Sequence, residues 1–397
     1  MTAGTTVRRL PGAVWLAGAV AFLGASADTF VLFVVLWVAQ PQGWSGVQIA
    51  LVVLVLRLPT LAAGLPAGRA VDRFGARPVV LVDVAIRAVL LAALVLCGDD
   101  GALPLVPVLV LGGLAGASGP ATYAAVRWLV PRLVPLDLRG TANTVIAISD
   151  QLPLLIGAAL VGPALAVLSP ATSLLVPIGL LAAAGLLARR LPIPPDADPS
   201  VERNPSMMDR QARWPRRVVA IIALSTAYYL VYGPFETAAP SLVRDRLNAG
   251  EAAYGLLWTV FGVGALLGLL AAPALVRRRP GLVNAGGALL WGLIMLPVAL
   301  VTDLPATVTL FAVGGVVWGP YTTVETHALQ RWVDPSRHGV VFGLQRSVLA
   351  TATPVGAAAG AMALEHIAPQ MVLAASAAAC ALAGLHALAN TDLRTAH

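Results

Sequence analysis

Long apolar runs separated by short polar breaks organise the chain. A membrane-spanning helix needs about 20 consecutive apolar residues. Runs of that order lie near 14–38, 46–68, 78–97, 103–127, 142–168, 172–191, 218–242, 252–276, 281–302, 305–329, 342–365 and 369–389. The pattern predicts twelve spanning helices in an all-α integral membrane protein. Charge sits in the breaks and alternates from one break to the next. Arg8, Arg9, the stretches 69–77, 127–139, 189–217, 277–279 and 331–346, and Arg394 fall at every second connection. The other connections hold only Arg244 and Arg246. Arginine-rich loops stay on the cytoplasmic side of a membrane. A multi-pass cell-membrane protein with both termini in the cytoplasm is therefore expected.

Composition agrees with this pattern. The chain of 397 residues is 58% hydrophobic and 11% charged, whereas a soluble chain carries about a quarter charged residues. All 26 basic side chains are Arg. Their placement at loops argues topology, not nucleic-acid binding. Cys97 and Cys380 both lie in apolar runs, so no disulfide or metal framework is implied. Arg8 and Arg9 precede an apolar run far longer than the core of a cleavable signal.

The stretch 191–215 differs from its surroundings. It holds Pro192, Pro194, Pro195, Pro199 and Pro205 with Asp196, Asp198 and Glu202. It reads as a partly extended cytoplasmic linker. The expected organisation is an N-terminal six-helix bundle over 1–191, a linker over 192–217 and a C-terminal six-helix bundle over 218–397. The bundles look alike. Gly119-Pro120-Ala121-Thr122 before Arg127-Trp128 returns as Gly319-Pro320-Tyr321-Thr322 before Arg331-Trp332. Asp150-Gln151-Leu152-Pro153 followed by Gly157 returns loosely as Thr351-Ala352-Thr353-Pro354 followed by Gly356. Repeated halves with a site between them near the midplane are a transporter architecture.

One polar break stands out. Residues 64–77 read G-L-P-A-G-R-A-V-D-R-F-G-A-R. Here Gly68 and Gly75 permit close approach and a tight turn. Asp72, Arg73 and Arg77 suit helix ends and arginine forks. The spacing resembles the loop between helices 2 and 3 of the major facilitator superfamily. That resemblance implies a conformational latch made of Gly68, Asp72, Arg73, Gly75 and Arg77, which locks and frees the cytoplasmic face. Within the superfamily the chain looks most like bacterial efflux carriers of the proton-antiporter type. Asp83 and Arg87 lie four apart early in helix 3, and Ala142-Asn143 opens helix 5, both similar to a drug-exporter branch. Residues 157–166, G-A-A-L-V-G-P-A-L-A, resemble an incomplete helix 5 antiporter motif. Gly157, Gly162 and Pro163 carry it, with Ala158 and Ala166 where glycines are usual. The alternative is ordinary small-residue helix packing. The family's helix 4 arginine, which is linked to proton coupling, would fall near Gly112 and is absent. Arg127 lies too close to the helix end to replace it.

Charges within apolar runs need a reason, since each costs roughly 3 kcal/mol or more in hydrocarbon. Asp28 in helix 1 and Arg57 in helix 2 fall at similar depth and are expected to pair. Asp28 is then the leading carboxylate for binding a proton or cation, and a static salt bridge is the alternative. Glu236, after Tyr228, Tyr229, Tyr232 and Phe235, suits a cationic amphiphile, because carboxylates and ring faces both attract cations. The alternative for it is a gating or interfacial residue. Glu325 is expected to serve coupling or an inner gate, with His327 beside it a solvated residue. Asp150 faces the cavity or helix 8, or partners Arg87. Asp83 and Arg87 are expected to pair with each other and support the Asp72 loop. Neither a Walker loop, a dinucleotide turn, a metal-spaced cluster nor a nucleophile elbow is present.

The reading is a monomeric, cofactor-free secondary transporter in the lipid bilayer. It exports a small amphiphilic compound, a drug or secondary metabolite, in exchange for protons. A same-fold importer or facilitator of a sugar, organic anion or peptide is the nearer alternative. A non-transporting membrane protein is the farther one.

Overall fold

The computed structural model describes residues 10–98, 102–193, 214–333 and 338–394. Among them all regular structure is helical and forms twelve rods. The first six begin with α1 (Gly12–Ala39), α2 (Gly46–Arg57, continuing as Pro59–Phe74) and α3 (Ala76–Leu96). They continue with α4 (Leu105–Pro107 through to Pro120–Leu133), α5 (Leu136–Val167) and α6 (Pro170–Ser173 and Leu175–Ala188). The last six begin with α7 (Arg216–Ser241, prolonged by a π-helical turn, Leu242–Arg246), α8 (Glu251–Leu269) and α9 (Pro280–Met295). They end with α10 (Leu304–Trp318 and Tyr321–Trp332), α11 (His338–Ala363) and α12 (Pro369–Ala389). Nine stretches among the described residues are long and apolar enough to cross a bilayer. Helix is the form that satisfies every backbone donor and acceptor within one segment in hydrocarbon.

Proline sets many of the boundaries. Pro59, Pro120, Pro170, Pro280 and Pro369 each stand in a first turn, where the missing N–H is not needed. The same chemistry explains the sequence repeat. Gly119-Pro120 lies where α4 is interrupted, and Gly319-Pro320 where α10 is. A proline inside a helix deletes a hydrogen bond and clashes with the carbonyl one turn back.

Two expectations about local structure change. The charged break at 64–77 is mostly helix, with Pro59–Phe74 running through it. Leu, Ala and Arg are strong helix formers, so only Gly75 turns, at φ 80° and ψ 166°. Helix 5 begins at Leu136, before the expected 142, so Ala142-Asn143 lies inside it. Most of the expected linker lies outside the described residues.

Packing repeats with a six-rod offset. α1 packs on α5 and α6, and α7 packs on α11 and α12. α2 packs on α4 and α3 on α6, just as α8 packs on α10 and α9 on α12. Across the two bundles α2 meets α11 and α5 meets α8, a pair of contacts that the same offset exchanges. α1 and α7 are central, with 67% and 56% of their most apolar stretches buried, against 33% for α3 and α12. Large apolar side chains such as Val89, Leu96, Val167 and Leu300 stand exposed on the rods. In a soluble monomer such surface would be an association hazard; here it meets lipid tails.

Candidate functional site

The two bundles are sealed against each other at the arginine-poor end. Trp37 of α1 stacks on Tyr254 of α8 with ring centroids 5.1 Å apart, and Phe33 lies 4.9 Å from Trp258. Arg244 donates to the Trp37 carbonyl at 2.9 Å and covers the Trp37 ring at 4.4 Å. Between α2 and α11 the Val47 N–H donates to Glu365 Oε1 at 3.2 Å. Gly46 lies so close to the Ala361 carbonyl that any side chain would strike it. Gly162 meets Glu251 and Ala252 of α8.

At the arginine-rich end the bundles diverge. The first segment of α2 packs along α11, while the second barely touches it. A side chain at Gly68 would meet nothing within 4 Å. Asp72 and Arg73 are exposed, and Arg77 is half-buried after the Gly75 turn. A space closed above and open below therefore lies between the bundles.

Two ion pairs stand at the edge of this space. On α3, Arg87 is 2% exposed. Its Nη1 donates to Asp28 Oδ1 at 2.8 Å and to the Gly24 carbonyl at 3.4 Å, and its Nη2 donates to Asp83 Oδ2 at 3.2 Å. The Thr122 hydroxyl of α4 donates to the same Asp83 oxygen. Two carboxylates share one guanidinium, so the ionised cluster is net negative. The Asp28 side chain is 51% exposed, although Ala27 and Phe30 beside it are buried. Its exposure is therefore to the space between the bundles. Gly24 and Gly119 make room: a Cβ there would lie 3.0 Å from Arg87 Nη2 and 3.4 Å from Asp28 Oδ2 respectively. The second pair bridges the bundles. Arg57 Nη2, on α2, donates to Glu236 Oε1, on α7, at 3.3 Å. Arg57 is 36% exposed and Glu236 3%.

The expected Asp28–Arg57 pair is thus replaced by Asp28–Arg87 and Arg57–Glu236. Depth along a rod fixes height but not direction, and the side chains turn to other neighbours. Asp83 and Arg87 do pair. Their further contacts run to Asp28, Gly24 and Thr122 rather than to the Asp72 turn. Near the missing helix 4 arginine, Gly112 and Gly113 pack on Leu56 and Val55 of α2. A guanidinium reaches Asp28 from α3 instead.

The aromatic face of α7 also points elsewhere. Tyr228, Tyr232 and Phe235 are buried. Tyr228 stacks on Tyr321 at 4.2 Å and Trp318 at 4.7 Å, and Phe235 meets Trp291 edge-on at 5.0 Å. These rings form the core of the C-terminal bundle, and Tyr229 alone of the four is partly exposed. Glu325 is fully buried, with neither oxygen hydrogen-bonded among the described residues. Asp150 lies on α5, and its side chain is outside the described residues. Gly157 sits against Ser26 and Thr29 of α1, and Pro163 is exposed. Sequence reasoning missed Thr122 and the Trp37–Arg244–Tyr254 seal. One signal for the seal was visible, because Arg244 and Arg246 interrupt an otherwise arginine-free side. Arg246 is accounted for by the carbonyls of Ala299 and Val301, to which it donates at 3.0 and 3.2 Å.

A family model described as Major Facilitator Superfamily matches residues 14–329. Among curated relatives, the chain is 26% identical to the multidrug efflux pump Tap of Mycobacterium tuberculosis over 355 residues, covering 84% of this chain and 83% of that one. Among solved structures, the nucleoside transporter NupG superposes with a TM-score of 0.75 at 12% identity, covering 96% of this chain and 99% of the other. A D-xylose-proton symporter superposes with a TM-score of 0.71 at 15% identity, covering 95% and 97%.

Proposed function

This chain belongs to the Major Facilitator Superfamily, and we propose that within it the protein exports a small amphiphilic organic compound in exchange for protons. Membership makes it a multi-pass membrane transporter. The finer reading is carried by one observation: the Asp28 carboxylate, half exposed to the space between the bundles, is held from behind by a buried arginine. A carboxylate in that place can bind a proton or a cationic group, and one excludes the other. Arg87 keeps it available as an anion without occupying its exposed side. Helix 4 lacks the usual arginine, so Arg87 supplies the cation from α3.

Export is supported by the likeness to Tap of Mycobacterium tuberculosis, a multidrug efflux pump. It is supported also by the small residues Gly157 and Gly162, which bring α5 against α1 and α8. Under the positive-inside rule the arginine-rich end is cytoplasmic. Both termini then face the cytoplasm of the cell that carries the protein in its plasma membrane, and the conformation described is inward-open. Gly68, Asp72, Arg73, Gly75 and Arg77 serve as the latch that closes in the opposite state.

The test is efflux of a panel of fluorescent lipophilic cations and neutral drugs from cells expressing the protein, with and without a protonophore. Efflux should collapse with the protonophore and with Asp28→Asn. Gradient-independent movement, with Asp28→Asn silent, would replace proton exchange by facilitated diffusion.

A further inference from the structure

We propose that the turn between α8 and α9 is a site for an anionic phospholipid, whose phosphate binds Arg277 and Arg278 at the arginine-rich end. Binding there is independent of the compound transported. Three observations point to it. With the six-rod offset, residues 268–280 correspond to the α2–α3 turn. In that turn Asp72 stands among Arg69, Arg73 and Arg77, whereas 268–280 hold Arg277, Arg278 and Arg279 and no acid. All three are exposed, and neither the Arg277 nor the Arg278 guanidinium has a partner among the described residues. Next, the turn is held in place. The helical turn Ala272–Leu275 packs on Tyr321–Trp332 of α10. Arg279 Nη1 donates to the Arg394 carbonyl at 3.3 Å. Leu393 is buried beside Gly281, where a Cβ would lie 2.6 Å from its carbonyl oxygen. The short helix Thr391–Arg394 thereby brings a fourth exposed arginine, Arg394, to the turn. Asp392 in the same helix makes no ion pair among the described residues. Finally, a lipid-facing stripe leads to the turn. Leu256, Val263, Leu267 and Leu270 are exposed, and spacings of seven, four and three residues put them on one face of α8. Tyr254 and Phe261, on the opposite face, are buried.

The chemistry of the site is that of a membrane edge. Acyl chains cover Leu267 and Leu270, and the headgroup layer begins where that stripe ends. Arg277 and Arg278 follow it after one short helical turn. A guanidinium donates two parallel hydrogen bonds to phosphate oxygens, and basic residues just beyond a spanning helix draw anionic lipids. In the α2–α3 turn an acid of the chain supplies negative charge among the arginines. In the α8–α9 turn the bilayer supplies it. A zwitterionic lipid carries its own cation beside the phosphate and gains less from the same arginines. The ligand is a lipid and not a soluble phosphate, because the cationic turn continues an apolar stripe that only acyl chains can cover.

The test needs no substrate. In a Cys97→Ala background, where Cys380 is buried, a fluorophore is attached at Ala274→Cys, an exposed position in the turn. The full-length protein is reconstituted in phosphatidylcholine vesicles. Brominated phosphatidylglycerol or brominated phosphatidylcholine is then added as quencher. Half-maximal quenching should need about tenfold less phosphatidylglycerol than phosphatidylcholine. Arg277→Gln/Arg278→Gln should remove most of that difference. Its quenching by phosphatidylcholine should match the parent, which shows that the variant folds and keeps the label at the same depth. Arg189→Gln/Arg190→Gln removes two exposed charges from the end of α6 and should keep the full preference. Glycerol phosphate in solution, at fixed ionic strength, should leave the preference intact. Equal quenching by both lipids in the parent overturns the inference. So does an equal loss in the α6 variant, which would mean that the whole charged face attracts anionic lipid. Displacement by glycerol phosphate would replace the lipid by a soluble anion.

Discussion

Replacing Arg87 with Gln tests the charge cluster behind α1. The guanidinium contacts Asp28 at 2.8 Å and Asp83 at 3.2 Å. Its loss strands Asp83, whose side chain is 1% exposed, with the Thr122 hydroxyl as its remaining partner. Removing one member of a buried ion pair costs about 3–5 kcal/mol, because the other charge stays buried. Asp28 adds little, since half its side chain is exposed and water screens it. The Thr122 bond, about 1–1.5 kcal/mol, is retained and offsets part of the cost. The expected loss is therefore about 2–3 kcal/mol. Asp83→Asn should behave differently. Two acids share one guanidinium, so removing Asp83 leaves a balanced Asp28–Arg87 pair and an amide that still accepts from Thr122. That change should cost less than about 1 kcal/mol. In the double variant the stranded charge is gone, so it should recover about 1–2 kcal/mol over Arg87→Gln alone.

The chain carries its own reporter for this comparison. Cys380 is buried in α12 and Cys97 is exposed. With Cys97→Ala, a thiol-reactive fluorophore reports melting through exposure of Cys380. One kcal/mol shifts a midpoint by about 2–4 °C in chains of 150–250 residues and by less in longer ones. A drop of about 2–4 °C is expected for Arg87→Gln, with Asp83→Asn within about 1 °C of the parent. Equal midpoints for the two single variants would refute the reasoning. So would a double variant that loses the sum of both.

Two further substitutions probe the backbone that shapes the cavity. Gly75 turns at φ 80° and ψ 166°, a region essentially reserved for glycine, so Gly75→Ala should cost about 1–3 kcal/mol; the same melting assay checks this, and an unchanged midpoint would count against the turn. Gly46→Leu would drive a side chain into the Ala361 carbonyl and should part the seal, so a cysteine introduced by Ile49→Cys, at a position now 5% exposed, should be alkylated several-fold faster by an impermeant maleimide. Equal rates would mean that the α2–α11 contact does not hold this end closed.

Much of the architecture was legible because the bilayer imposes it. Apolar runs long enough to cross a membrane have one compatible form, and Gly-Pro at 119–120 and 319–320 announces the same interruption in α4 and α10. The site was legible only in part. Residue spacing gives the height of Asp28, Arg57, Arg87 and Glu236 along their rods. Partner choice depends on the rotation of each rod and on gaps such as those at Gly24 and Gly119, which no periodicity in one chain encodes. The i, i+4 pair Asp83–Arg87 was readable because its partners share a rod. The aromatic run on α7 misled for the converse reason: rings before a carboxylate suggest a cation site, but three of the four are needed to fill the C-terminal core.

The sealed and open ends of α2 bear on each other. Gly46 and Gly68 lie on the two segments of one rod, above and below its break at Leu58–Pro59, and the same neighbour, α11, faces both. Gly46 is pressed against Ala361, while the space at Gly68 is empty. The Gly46 contact needs glycine, since a side chain would hold the backbones apart. A transporter that alternates cannot have both closed while substrate moves, nor both open without leaking protons. Asp72 and Arg73 are exposed on that second segment in this conformation.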